Sequence, residues 1–372
     1  MWAAEGIVFP VEGERVEDVA ESNLGELIDR CMIQAGKRSL SGNVTTCRLH
    51  DLMRDLCLSK AKEENFQEVI HLQDGNKAAI GDFSSSMVSL VRQSTVEVRR
   101  LAIYLDQGIR SGGEIPNVLW KMQQLRHLYL PWSYKIIDAE KLRLDTLTNL
   151  EILKYIDPDK CCVKDLVKLK NLRKLHIHAI KSIEQLDVIF KPPSPVLRRI
   201  RSLSLHFFNG RIEEGDLRQL LLGCHHDLYG LYLAAGITSY FCGALSFEED
   251  PTVTLEKLPH LKFLSLSETF IGMEMVCSGK GFPQLKYLSL SLFPNVEKWR
   301  VDEGSMPSLC DLRIMKCQQL REVLDGLRLI VTLQKMEVSG MPETFLDRLR
   351  EGGEDFHKVQ RIPSIEFMEL ES

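Results

Sequence analysis

From residue 98 onward, apolar residues recur in triplets whose members stand three and then two positions apart. Val98-Leu101-Ile103 opens the series, followed by Leu125-Leu128-Leu130, Leu150-Leu153-Tyr155 and Leu172-Leu175-Ile177. Ile200-Leu203-Leu205, Leu228-Leu231-Leu233, Leu261-Leu264-Leu266, Leu285-Leu288-Leu290, Leu309-Leu312-Ile314 and Leu333-Met336-Val338 complete ten copies, started 22 to 33 residues apart. An amphipathic helix also spaces its leucines three and four apart. At roughly 100° per residue, however, positions two apart point to nearly opposite sides of a helix, whereas on a strand they share a face. Each unit is therefore predicted to be a short strand with two inward side chains, then a turn and a return segment. One unit cannot bury its own apolar edge, so neighbours stack their strands into a continuous core.

This is the pattern of leucine-rich repeats, and it predicts an α/β solenoid of about ten repeats with a curved parallel sheet. "LRIMKCQQL" (312 to 320) extends it, with Cys317 either bonding the neighbouring backbone at the turn or filling a small buried space. The 33-residue step between Leu228 and Leu261 holds "AAGITSYFCGALSFEEDP", a candidate recognition loop, and "FKPPSPVLRRI" (190 to 200) reads as a rigid connection between repeats. The third, fifth and seventh positions of each repeat are expected on the concave face. That places His127, Tyr129, His176, His178, His206, Tyr232, Phe263, Tyr287 and Arg313 there as candidate partner-binding residues. Rings on a rigid sheet offer contact area at small entropic cost.

Ahead of the repeats, Val16, Val19, Ala20, Leu24, Leu27, Ile28 and Cys31 stand at helical spacing. "GKRSLSGN" (36 to 43) is turn chemistry between apolar flanks, a hairpin tip. A second helix after it carries Leu52, Met53, Leu56 and Ala61 inward and Arg54, Asp55, Lys60 and Lys62 outward. Helix, hairpin and helix form part of a winged-helix unit. The boundaries are 1–72 for that partial domain, 73–95 for a Gly- and Ser-containing linker, and 96–372 for the repeats.

Composition narrows the function classes. With 44% hydrophobic and 27% charged residues and a formal charge of -5, the chain folds and carries no net basic footprint for nucleic acid. No stretch is long and apolar enough to span a membrane, and the N-terminus has no secretory pattern. The ten cysteines include no C-x-x-C pair and read as reduced thiols of a cytosolic or nuclear protein. Neither G-x-S-x-G nor H-E-x-x-H occurs. His225-His226-Asp227 reads as a solvated turn rather than a metal site.

The run "CRLHDLMRDLCLSKAKEENF" (47 to 66) resembles the end of the nucleotide-binding module of plant intracellular immune receptors, the coiled-coil class of nucleotide-binding leucine-rich-repeat proteins. "WAAEGIV" and "EDVAESNLGELIDRCMIQ" resemble the preceding part of that family's winged helix, and "VRRLAIYLD" the opening of its repeats. The family's Met-His-Asp motif reads Leu49-His50-Asp51 here. The resemblance implies that His50 faces the diphosphate of bound ADP and that Asp51 fixes the local geometry of the inactive state. It implies ADP or ATP as the intact family's cofactor. The phosphate cradle G-x-x-x-x-G-K-[ST] is absent from this chain, "QAGKRS" and "CSGKGF" being incomplete versions. A C-terminal fragment or truncated gene product is therefore expected, retaining no nucleotide and catalysing nothing. The expected function is recognition and autoinhibition in plant defence. The partners would be a pathogen effector, a guarded host protein or the nucleotide-binding domain of an intact receptor. The expected location is cytoplasmic, with nuclear or partner-mediated peripheral membrane association as variants. The alternative is a general repeat adaptor, such as a ubiquitin-ligase substrate receptor.

Overall fold

The computed structural model describes residues 16–36, 44, 47–63, 67–72, 98–105, 113–137, 139–190, 199–208, 228–235, 250–321 and 325–368. The linker 73–95, most of the hairpin tip, His225-His226-Asp227 and most of the 234–251 and 190–200 segments lie outside them. The chain divides into two compact units, Met1–Gln67 and Glu68–Ser372.

In the first unit, helix α1 (Val16–Asp29) leads into β1 (Ile33–Ala35), which pairs antiparallel with β2 (Cys47–Leu49), Ile33 lying opposite Leu49. Helix α2 (Asp51–Glu63) follows at once, with the Arg54 amide donating to the His50 carbonyl at 2.8 Å to close its first turn. Asp51 sits in that first turn, where a carboxylate favours the helix dipole. The inward face expected for α2 is corrected. Met53 and Ala61 are half-buried, but Leu52 is 77% and Leu56 53% exposed. An apolar stripe states which residues favour burial; it does not supply the surface that buries them.

In the second unit, β3 (Gln67–Leu72) is the edge of a twelve-stranded sheet. The segment up to residue 72, expected with the partial winged-helix domain, thus ends in a strand of the repeat sheet. The sheet continues with β4 (Arg100–Leu105), passes over the short β5 (Gly113–Pro116), and takes up β6 (His127–Tyr129). After β7 (Tyr134–Ile137), which pairs with β5 in a separate two-stranded sheet, come β8 (Ile152–Ile156), β9 (Lys174–Ile180), β10 (Ser202–Phe207), β11 (Gly230–Ala235) and β12 (Phe263–Ser267). A second small pair, β13 (Glu274–Cys277) and β15 (Lys298–Val301), brackets β14 (Tyr287–Ser291). The main sheet closes with β16 (Asp311–Met315), β17 (Lys335–Ser339) and β18 (Ser364–Met368).

From β4 to β18 every neighbouring pair in the main sheet is parallel. The middle residue of each triplet aligns with the next: Leu101, Leu128, Leu153, Leu175, Leu203, Leu231, Leu264, Leu288, Leu312, Met336 and finally Ile365 form one column. The first ten are at most 2% exposed. Each such burial contributes about 1.5–3 kcal/mol before conformational entropy is set against it. The predicted solenoid is the observed one. Its eleventh rung, Ile362-Ile365-Phe367, repeats the same spacing beyond the ten read from the sequence.

Backbone hydrogen bonds fix the register. The residue after the first member of each of the first nine triplets offers its carbonyl to two amides of the next rung. Arg99 accepts from Arg126 and His127, Arg173 from Arg201 and Ser202, and Lys262 from Lys286 and Tyr287, at 2.7–3.1 Å. At the strand ends, Glu268, Leu292 and Lys316 adopt left-handed backbone at φ 53°, 58° and 52°, and their amides reach the carbonyls of Ser291, Met315 and Ser339. Gly340 holds the same position one rung later at φ 60°. Cys317 follows that turn, 3% exposed, with its Sγ donating to the Met315 carbonyl at 3.4 Å and burial pushing its thiol up to about 11.

Two rungs depart from the regular alternation. Tyr155 was read as the third core residue of its triplet, but it turns left-handed at φ 65° and Ile156 takes the core place, 0% exposed. The register shifts there, Ile156 pairing with Ile177. A second shift follows at His178 and Ala179, so that Ile180 pairs with Phe207. Bulges of this kind re-aim side chains. Here they turn the Tyr155 ring toward Trp132 and His176 and leave the core place to Ile156.

Candidate recognition surface

Outward-pointing side chains of β8 to β11 form a continuous row of rings. Trp132, from the turn after β6, stands 5.7 Å from Tyr155, 4.8 Å from His178 and 5.3 Å from His206 between ring centroids. Tyr155 lies 4.5 Å from His176, His176 stacks on His206 at 4.7 Å, and His206 stacks on Tyr232 at 4.8 Å. The stack crosses the strands diagonally. Ser204, opposite both His176 and Tyr232 in register, is too small to take a place in it. A second group continues across β12 and β14: Tyr229–Phe263 at 6.1 Å, Phe263–Tyr287 at 6.3 Å, and the Arg313 guanidinium 5.2 Å from the Tyr287 ring centroid. Aromatic pairs at such separations add about 0.5–1.5 kcal/mol each beyond area burial.

The sequence-predicted residues fare differently. Phe263 is 47% exposed, and His176, His206, Tyr232 and Tyr287 are half-buried with their rings in the rows; Tyr129, also half-buried, stands apart from them, 6.5 Å from His127 with Lys154 over its ring. His127 and His178, by contrast, are each only 3% exposed. His178 is covered because the bulge turns it toward Trp132 and the Tyr155 carbonyl, 3.1 Å from its Nε2. Arg313 is engaged within the chain, 3.2 Å from the Glu337 carboxylate. Trp132 and Tyr155 were missed. Trp132 follows its triplet in a turn where no period applies, and Tyr155 carried the spacing of a core residue.

Burial makes these imidazoles hard to protonate. His176 is held down to about 3 by burial, with His206, His178 and Lys154 adding to it. His206 lies at about 4 through burial and then His178, and His127 at about 4 through burial and the charges of Arg100, Lys174, Arg126 and Lys154. His178 is also lowered by burial, against the opposing pull of Asp157. Near neutral pH the row is therefore uncharged and apolar in character. His176 Nε2 and His206 Nδ1 are buried without a hydrogen-bond partner. Among the described residues no cluster of His, Cys, Asp and Glu could hold a metal, and no helix is long and apolar enough to cross a membrane.

His50 and Asp51, the candidate nucleotide contacts, are both exposed at the start of α2. One exposed imidazole and one helix end fall short of the several amides and the lysine that hold a diphosphate. These residues alone do not fit a nucleoside diphosphate.

A family described as "Leucine-rich repeat region" matches residues 103–349, and "Disease resistance protein Winged helix domain" matches residues 1–57. The chain belongs to the leucine-rich-repeat disease resistance proteins. It is 31% identical to "Probable disease resistance RPP8-like protein 2" of Arabidopsis thaliana, over 99% of this chain and 51% of that protein. It is 31% identical to "Disease resistance protein RPP8" of the same plant, over 99% of this chain and 50% of that one. The disease resistance chain thus spans about half the length of the curated relatives it matches. Among solved structures it resembles an internalin of Listeria monocytogenes at TM-score 0.36 and 14% identity, covering 73% of this chain and 81% of that one.

Proposed function

We propose that this chain is a non-catalytic recognition module of plant defence. Its repeat sheet binds a protein partner, a pathogen effector or a guarded host protein, and its winged-helix segment couples that contact to the inactive state of an immune receptor. The observation that carries the reading is the pair of ring groups on the outward face, which pack ring against ring, are uncharged near neutral pH and are for the most part half-exposed. Interfaces concentrate binding free energy in such aromatic anchors. The protein acts in the cytoplasm and by itself turns over no nucleotide, since His50 and Asp51 stand without a phosphate cradle. A ubiquitin-ligase adaptor fits less well, because the first 57 residues match a disease-resistance winged helix.

The test replaces Tyr232, Phe263 and Tyr287 together with alanine and compares proteins recovered from leaf extract with the variant and with the unaltered chain. Circular dichroism serves as the control for folding. The expected outcome is selective loss of partners at preserved structure, with affinity reduced about 100-fold or more if two of the three are anchors. Identical recovery from a folded variant refutes the proposal.

A further inference from the structure

The carbonyl pattern that sets the register also identifies a column of side chains. Each rung places one residue, the one after its first apolar member, in the same backbone environment. Arg99, Arg126, Arg173, Arg201, Lys262 and Lys286 occupy this position in six of the eight rungs from β4 to β14. The other two carry Glu151 and Tyr229. Five of the six cations are exposed and Lys262 is half-buried. Glu151 is the only acid in the column and lies 3.6 Å from Arg126. Among the described residues, Arg99, Arg173, Arg201, Lys262 and Lys286 have no carboxylate within ion-pair distance. The two following rungs are different. There Cys310 and Gln334 hold the position, and Arg313–Glu337 at 3.2 Å and Lys335–Glu366 at 2.8 Å neutralise the charges nearby.

A chain of net charge -5 that lines up cations on one edge of its ring-bearing face concentrates positive potential there. We propose that this column is the docking site of an extended acidic polypeptide segment, whose carboxylates meet the cations while its apolar side chains rest on the adjoining rings. This deepens the recognition reading above and depends on it. Eight strands at about 4.8 Å spacing make the column about 34 Å long. An extended chain rises about 3.3 Å per residue, so about ten residues cover it. Nucleic acid is the poorer fit. Base recognition on aromatic platforms needs open ring faces, and in the His176–His206–Tyr232 stack the faces are turned to one another.

The experiment uses the full chain and fluorescent ten-residue probes: a peptide alternating Asp and Leu, the same peptide with Asn for Asp, and an oligothymidylate of equal length. The expected result is binding of the acidic peptide that weakens as salt rises. It should fall about ten-fold or more in the R173Q/R201Q/K262Q/K286Q variant and about as far when Asp is replaced by Asn. Unchanged thermal unfolding of the variant shows that the loss is not structural. A single R201Q substitution, with a smaller loss, replaces it if the quadruple variant does not fold. No binding of the acidic peptide, equal binding of the Asn peptide, an unchanged affinity in the variants or tighter binding of the oligothymidylate each overturns the proposal. If the alanine triple variant loses its leaf partners while the glutamine variant keeps them, the recognition reading stands and the acidic-segment inference falls.

Discussion

Leu264 shows how much one position in the aligned column carries. It is 0% exposed and lies between Leu231 and Leu288 in register. Leu264→Met nearly conserves volume and is expected to cost less than about 1.5 kcal/mol. Leu264→Asp puts an unpaired carboxylate where no donor waits, and a loss of about 4 kcal/mol or more is expected, enough to unfold the neighbouring rungs. Urea denaturation of the two variants separates these outcomes. Similar midpoints for both would mean that the column is not a tightly packed core. Tyr155 departs from this regularity. Its spacing matched a core leucine, but the strand turns left-handed at Tyr155 and the register shift brings Ile156 into the core place.

At the scale of the strand and its turn, the left-handed position after each strand differs in cost from rung to rung. Gly340 adopts it without a Cβ penalty, whereas Lys316 does so at a cost of about 1–2 kcal/mol. Gly340→Ala is therefore expected to lower stability by about 1 kcal/mol or more. Lys316→Gly should be neutral or stabilising by up to about 1 kcal/mol, because the gain in the fold is partly offset by a freer unfolded chain. Opposite signs in thermal unfolding support this account, and a stabilising Gly340→Ala would contradict it. The same scale marks where the sequence was readable. The repeats were legible because a three-then-two spacing has one geometric solution and recurs ten times. Ile362-Ile365-Phe367 follows the same rule and could have been read as an eleventh. The bulges at Tyr155 and at His178–Ala179 were not legible, since they follow from what the neighbouring rungs can accommodate. His178 consequently left the surface to which its alternation assigned it. The stripe of α2 was legible as amphipathic, but exposure of Leu52 and Leu56 depends on what lies opposite them, which no period encodes.

At the scale of the whole molecule, the histidines make stability depend on pH, and the sign follows from their environment. His176 at about 3 and His127 and His206 at about 4 all lie below the ordinary 6.5, and His178 is lowered as well. Between pH 6.5 and those values the unfolded chain binds more protons than the folded one, so stability rises with pH across the window. It is complete above pH 6.5 and is lost as pH falls toward 4, each imidazole contributing at most about 1.4 kcal/mol per pH unit. The groups around them act in known directions: Lys154, Lys174, Arg100 and Arg126 deepen the depression, and Asp157 opposes it at His178. Asp250, Asp311 and Glu268 are raised by burial and work the other way once pH enters the carboxylate range, so the slope should flatten below about pH 5. Urea midpoints are therefore expected to be lower at pH 5.2 than at pH 7.5, and replacing His176 and His206 together with glutamine should shrink the difference. A midpoint that is constant or rises on acidification would show that these rings are hydrated rather than stacked into the face of the sheet. The proposed recognition surface would then be charged in mild acid and unsuited to apolar contact. The ring row and the stability of the repeats are thus one physical arrangement: the burial that keeps the imidazoles neutral is the burial that acid disrupts.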